Sequence, residues 1–156
     1  MIVRIASLKD YDALCALFDE LDEVHRRVRP DFFRPFEGPA RTREQVTRWL
    51  VEPGSTVLVA ESDDGVIGLA VLLTRTPSVF AGAVPRNVIE VDNLMVRADQ
   101  RNRAVGRRLL AATVEWPREC SATHVEVAVH AFNNDAQRFY ESFGFVPSIN
   151  WLVLTV

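Results

Sequence analysis

VIEVDNLMVRADQRNRAVGRRLL, residues Val88 to Leu110, reads as a strand, a turn and the start of a helix. Val88 to Val96 carries the β-branched and apolar residues of a strand packed against neighbours. Strand alternation puts Glu90, Asp92, Leu94 and Val96 on one face, so two carboxylates are expected to point together. Val105, Leu109 and Leu110 open a helical period that continues through Thr113, Val114 and Trp116. Between the two lies Arg101-Asn102-Arg103-Ala104-Val105-Gly106, a turn of small and basic residues at a helix start. The first N–H groups of a helix lack intrahelical partners and sit at the positive end of its dipole, so this point attracts an anion. Five arginines, Arg97, Arg101, Arg103, Arg107 and Arg108, add charge-assisted donors. The turn has neither the Gly-Lys-Ser/Thr ending of a nucleoside-triphosphate loop nor the three glycines of a dinucleotide fold. Neither ATP nor NAD is its natural ligand.

Working outward from this segment, a consistent order of elements emerges. Met1 to Ala6 alternates as a first strand, and Ser7 with Asp10 forms a capping pattern for a helix with apolar positions Leu8, Tyr11, Leu14, Phe18 and Leu21. Arg29 to Ala40 holds three prolines and one glycine together with Phe32, Phe33 and Phe36, which predicts a loop packed over something. Thr42 and Gln45 cap a short helix that Pro53-Gly54 closes. Thr56 to Glu61 and Val66 to Arg75 flank Ser62-Asp63-Asp64-Gly65, a hairpin signal, and are expected to be antiparallel neighbours. Thr76 to Asn87 is a loop. Beyond Leu110, Pro117 is expected to kink or end the helix, because it lacks an amide hydrogen. His124 to His130 alternates as a strand, Asn133 or Asn134 caps a helix through Phe139 and Phe143, and Gly144 stops it. Trp151 to Val156 is expected to close the sheet.

The chain of 156 residues, 48% apolar, has the length of one domain and enough core without disulfides or a structural metal. Cys15 and Cys120 form no CxxC pair and read as buried free thiols in helical patterns. His25, His124 and His130 have no metal-ligand spacing, so no metal is expected. No run approaches the roughly 20 apolar residues of a membrane span, and the first residues lack a signal segment, which predicts a cytoplasmic protein without membrane attachment. A net charge of −3 argues against nucleic acid as a partner. An arginine cluster in an acidic chain fits a small confined polyanion instead.

Leu94-Met95-Val96 followed by Arg101-x-x-Ala104-x-Gly106-Arg107-Arg108-Leu109-Leu110 resembles the acetyl-CoA motif of the GNAT family of N-acetyltransferases, which writes the turn Gln/Arg-x-x-Gly-x-Gly/Ala. A second family element recurs as Asn133-x-x-Ala136-x-x-Phe139-Tyr140-Glu141-x-x-Gly144-Phe145. The resemblance covers nearly the whole chain and implies an α/β, single-domain fold over residues 1–156, with a mixed, mostly antiparallel central sheet flanked by helices.

It further implies that acetyl-CoA is the cosubstrate. Backbone groups of Leu94, Met95 and Val96 would pair with the pantetheine arm, and Arg101, Asn102, Arg103, Ala104, Val105, Gly106 and Arg107 would hold the pyrophosphate. Asn133 would hydrogen-bond the arm. Asp92 aligns with the family's acidic position and is preferred to Glu90 as the base, while Tyr140 would protonate the departing thiolate. Ala104 departs from the family's first glycine, which weakens binding if that position needs glycine's freedom. His25, Phe32 and Phe33, with Phe36, are candidates for an apolar wall around the acceptor. The leading expectation is transfer of acetyl to a primary amine of a small molecule. The rivals are a peptide or protein amine and a non-catalytic CoA-binding module. A homodimer is the assembly that family analogy suggests.

Overall fold

The computed structural model describes residues 1–119 and 121–156, with residues 117–119 as backbone. Five strands form one sheet in the order β1 (Ile2–Ile5), β2 (Ser55–Ser62), β3 (Gly65–Thr74), β4 (Val88–Val96) and β5 (His124–Val127). The first four pair antiparallel and β4 pairs β5 parallel, giving the expected mixed sheet. Four helices flank it: α1 (Tyr11–Val28), α2 (Arg43–Val51), α3 (Val105–Glu119) and α4 (Asn134–Phe143).

The sheet buries both faces. Leu14, Leu17 and Phe18 of α1 and Val46 of α2 pack on Val57, Val59, Leu69, Val71 and Met95. Val105 and Leu109 of α3 cover Leu58, Ala60, Ala70, Leu72, Ile89, Val91 and Val96 on the other face. Central strands covered on both sides read as continuous apolar runs, as β2 and β3 do. Gly68 of β3 is required for space: a Cβ there would lie 2.8 Å from the Met95 carbonyl oxygen and 2.9 Å from Leu109 Cδ1. Its absence lets α3 settle close to the β3–β4 pair.

Local caps follow the sequence. Ser7 and Asp10 form a reciprocal capping box on a short 3-10 turn that leads into α1, and the Thr42 hydroxyl accepts the Gln45 amide. Asp10 also takes two hydrogen bonds of 2.9 Å from Arg4, whose Nε reaches Glu61 at 2.7 Å, tying β1, β2 and the head of α1 together. The Asp63-Asp64 turn joins β2 to β3 with Gly65 at φ +85°.

Several expectations are corrected. Trp151–Val156 forms no strand, and Trp151 is 89% exposed and Leu152 95%. Its β-favouring residues are not enough, because a strand also needs a partner edge to pair with. The strand expected from His124 to His130 ends at Val127, where its partner β4 becomes irregular. Of the two outcomes expected at Pro117, a kink or an end, the end does not occur: α3 runs on to Glu119, packing of its apolar face outweighing the lost hydrogen bond. Cys15 is half-buried and free, with Sγ 3.7 Å from the Arg41 carbonyl oxygen. Cys120 lies outside the described residues.

Candidate active site

The irregularity in β4 is a bulge. Val71 of β3 faces Asn93 and Leu72 faces Val91, which leaves Asp92 as the extra residue. The bulge shifts the phase of the strand, so Glu90, Asp92, Leu94 and Val96 do not share a face. Ile89, Val91, Leu94 and Val96 turn to the α3 side, whereas Met95 lies on the α1 side. Cross-strand pairing of Glu90 with Leu73 and of Asn93 with Val71 puts both on that α1 side too. Alternation alone has no means of registering one inserted residue.

Asp92 and Glu90 still influence each other. Burial pushes the Asp92 carboxyl above the usual carboxylate range, and the negative charge of Glu90 pushes it further. Arg41 and a hydrogen bond from the Asn93 amide oppose the shift only in part. Asp92 is nevertheless exposed to solvent, so the neighbouring chain desolvates its carboxyl only in part. Glu90 has a different environment: Arg75 grips both its oxygens at 2.9 and 2.7 Å. Both Glu90 oxygens are thus engaged, and Asp92 is the freer of the two.

Beyond β4 the chain makes a 3-10 turn, Ala98–Gln100, and then a tight arginine-rich turn. Asn102 and Ala104 both adopt the left-handed conformation, with φ of 60° and 63°. Ala104 caps α3, since its carbonyl oxygen accepts the Arg108 amide at 3.0 Å. The family's glycine thus stands where positive φ is needed, and alanine holds the same geometry at a cost of about 1 kcal/mol. The two left-handed residues turn the chain tightly just ahead of α3, whose first amides have no intrahelical partner. Gly106 faces α4, where a Cβ would lie 3.4 Å from Phe139 Cζ, about ordinary contact distance.

The arginines are not equivalent. Arg101 binds the Val96 carbonyl oxygen at 3.1 Å and Glu20 of α1 at 3.1 Å, and the same Glu20 carboxylate accepts the Ala98 amide at 2.9 Å. Arg97 pairs with Asp99 at 2.7 Å, Arg108 reaches the Met1 carbonyl oxygen at 3.4 Å, and Arg107 stacks over Phe143 at 5.5 Å. Arg103 contacts Gln100 at 3.4 Å, a long bond that is easily exchanged.

Asn133 caps α4 by accepting the Ala136 amide at 3.1 Å. Tyr140 is 7% exposed, set edge-on between Phe139 at 5.3 Å and Phe145 at 5.5 Å, and burial pushes its phenol up to about 12. His25 and Phe33 come together as expected, 5.3 Å apart, and Phe32 packs on Phe33 at 5.0 Å. His130 and Phe132 join them, stacked on each other at 5.4 Å. Sequence reading missed these two along with Glu20, Arg41 and Arg75. The usable signal for His130 and Phe132 was their place between the end of β5 and Asn133.

A mixed sheet whose bulged β4 runs into a tight arginine-rich turn at the head of α3 frames the candidate site, and residues 21–145 match the acetyltransferase (GNAT) family. The chain belongs to that family. A tetramutant of the BH1408 protein from Bacillus halodurans shares its fold with a TM-score of 0.93 at 25% identity, over 100% of both chains. Aminoglycoside N-acetyltransferase AAC(6')-Iy in complex with CoA matches with a TM-score of 0.74 at 16% identity, over 99% of this chain and 98% of that one. The aminoglycoside 6'-N-acetyltransferase AAC(6')-IG from Acinetobacter haemolyticus gives a TM-score of 0.74 at 16% identity, over 100% and 98%. No curated protein matches the sequence. Among the described residues, no helix is long and apolar enough to cross a membrane.

Proposed function

We propose that this protein transfers the acetyl group of acetyl-CoA to the primary amine of a small molecule, by direct attack of the amine on the thioester. The observation that carries the reading is the turn at Asn102 and Ala104, a left-handed pair immediately ahead of the unpaired first amides of α3. Those amides, with Arg103 and Arg107, fit a pyrophosphate. Arg101 is better described as a positioning residue, because Glu20 and the Val96 carbonyl already hold it. Backbone groups of Leu94, Met95 and Val96, together with Asn133, would bind the pantetheine arm. When bound, acetyl-CoA supplies an activated acyl carbon and a thiolate leaving group.

An amine is mostly protonated at neutral pH and must lose a proton before it attacks. Asp92 takes it, and its raised pKa makes it a better base than an ordinary carboxylate. Tyr140, protonated at any physiological pH, donates a hydrogen bond toward the leaving sulfur. With its phenol near 12 and a thiol near 8.5, full proton transfer is uphill by about 5 kcal/mol, so Tyr140 stabilises the thiolate as a donor instead of ionising.

Calorimetric titration with acetyl-CoA, dephospho-CoA and ATP tests the turn. Saturable binding that favours acetyl-CoA supports the reading, and the Tyr140→Phe variant should then keep that affinity while thiol release falls at least tenfold. Absence of acetyl-CoA binding at millimolar concentration would remove the proposed function.

A further inference from the structure

The parallel pairing of β4 and β5 ends at Val91 opposite Val127. The chain of β5 leaves the ladder after Val127, at the level where Asp92 bulges out of β4. Five rings gather beyond this point: His25 from the last turn of α1, Phe32 and Phe33 from the following turn, and His130 with Phe132 beyond β5. His130 lies 5.1 Å from His25, 5.4 Å from Phe33 and 6.3 Å from Phe32 between ring centroids. Most of these contacts are edge-to-face, and Phe132 alone stacks flat on His130, at 16° between planes.

The wall is firmly mounted. Nδ1 of His25 lies 2.9 Å from the Leu21 carbonyl oxygen, and the Arg29 carbonyl accepts the amides of both Phe32 and Phe33, at 3.0 and 2.8 Å. It is also open, since Phe32 is 65% exposed and His130 is exposed. Asp31 is gripped by Arg29 at 2.8 Å, Asp22 by Arg41 at 3.1 Å and Glu23 by Arg26 at 3.1 Å, so these acids on the adjoining elements are already compensated. Partial burial lowers the His130 pKa, and the charges of His25 and Arg29 lower it further, which favours the neutral imidazole.

The geometry points to an acceptor that is a primary amine carried on an aromatic or similarly flat apolar group, its ring seated against His130 and Phe132 and its amine directed toward Asp92. This deepens the proposed function and rests on it. A polycation would need unpaired carboxylates along the wall, whereas an aryl group gains edge-to-face and stacked ring contacts with no charge to satisfy. The added ring contributes its own desolvation, and the amine alone meets a carboxylate.

The test reads binding rather than turnover. Imidazole resonances of His25 and His130 are followed by NMR in the full chain, with and without saturating CoA, during titration with 2-phenylethylamine and with spermidine. Saturable shifts with 2-phenylethylamine and none with spermidine are expected, and Phe132→Ala should weaken the arylamine roughly tenfold, the scale of a lost ring contact with its buried area. Phe32→Ala, at a largely exposed position, gives the same readout if Phe132→Ala fails to fold. Spermidine shifting the histidines as strongly, 2-phenylethylamine shifting neither, or arylamine affinity unmoved by the substitutions would each overturn the assignment. Because no acetyl transfer is measured, those results leave acetyl-CoA binding as a separate question.

Discussion

Replacing Ala104 by glycine isolates the strain in the turn ahead of α3. Ala104 sits at φ +63°, a left-handed conformation that costs an L-residue with a Cβ about 1–2 kcal/mol. Glycine removes that cost but makes the unfolded chain freer by about 0.4–1 kcal/mol. The net expectation for Ala104→Gly is a stabilisation of about 0.5–1 kcal/mol, or an increase in Tm of roughly 1–4 °C for a chain of this size. Ala104→Val should do the opposite and lose at least about 1 kcal/mol, because a β-branched residue at positive φ is a true outlier. Thermal unfolding by circular dichroism, paired with acetyl-CoA titration of both variants, separates two cases. If the free turn already holds the left-handed geometry, the gain of Ala104→Gly appears in Tm; if the ligand imposes it, the gain appears as a two- to fivefold tighter Kd, by the same free energy. A glycine variant that is less stable and binds no tighter, or a valine variant that is tolerated, would refute the placement of residue 104 at positive φ.

For Asp92, the raised pKa means that the carboxylate is lost as pH falls through a value above the ordinary carboxylate range, so kcat/KM should fall there. Asp92→Asn should lower kcat about 10²-fold or more and erase that acid limb, and Arg75→Gln, by freeing the charge of Glu90, should move the limb to higher pH; pH–rate profiles measure both. Asp10, depressed to about 2 chiefly by its hydrogen bonds from Arg4, contributes stability that is full above its unfolded pKa near 3.8 and is lost as pH falls toward 2. After allowance for solvent screening this amounts to about 1–2 kcal/mol, and urea unfolding between pH 2 and 5 should show a shallower pH slope for Asp10→Asn. Gly68→Ala drives a methyl into the Met95 carbonyl and Leu109, and should cost about 1–3 kcal/mol in chemical denaturation.

Much of the fold was legible in the chain because its signals are local. Turn chemistry at Asp64-Gly65, caps at Ser7, Thr42 and Asn133, and apolar runs with strand or helix period each report the conformation of a few neighbouring residues. Val88–Val96 has the strand bounds read from sequence, and the conditional warning about Ala104 rested on the same kind of local sterics. Failures cluster where a distant partner decides. Trp151–Val156 has strand composition but no strand, and β5 stops three residues short of His130.

The composition and order of residues determined the sequence of elements, the arginine-rich turn before α3 and the family to which these motifs belong. Only the tertiary structure decided the chemistry of individual groups. One bulged residue reversed the facing of β4, Arg75 withdrew Glu90, Glu20 tied Arg101 to α1, and His130 met His25 across 105 positions of chain. Periodicity describes which way a side chain points along its own element. What it meets there, and hence its charge and its pKa, is set by residues that the chain brings back from far away.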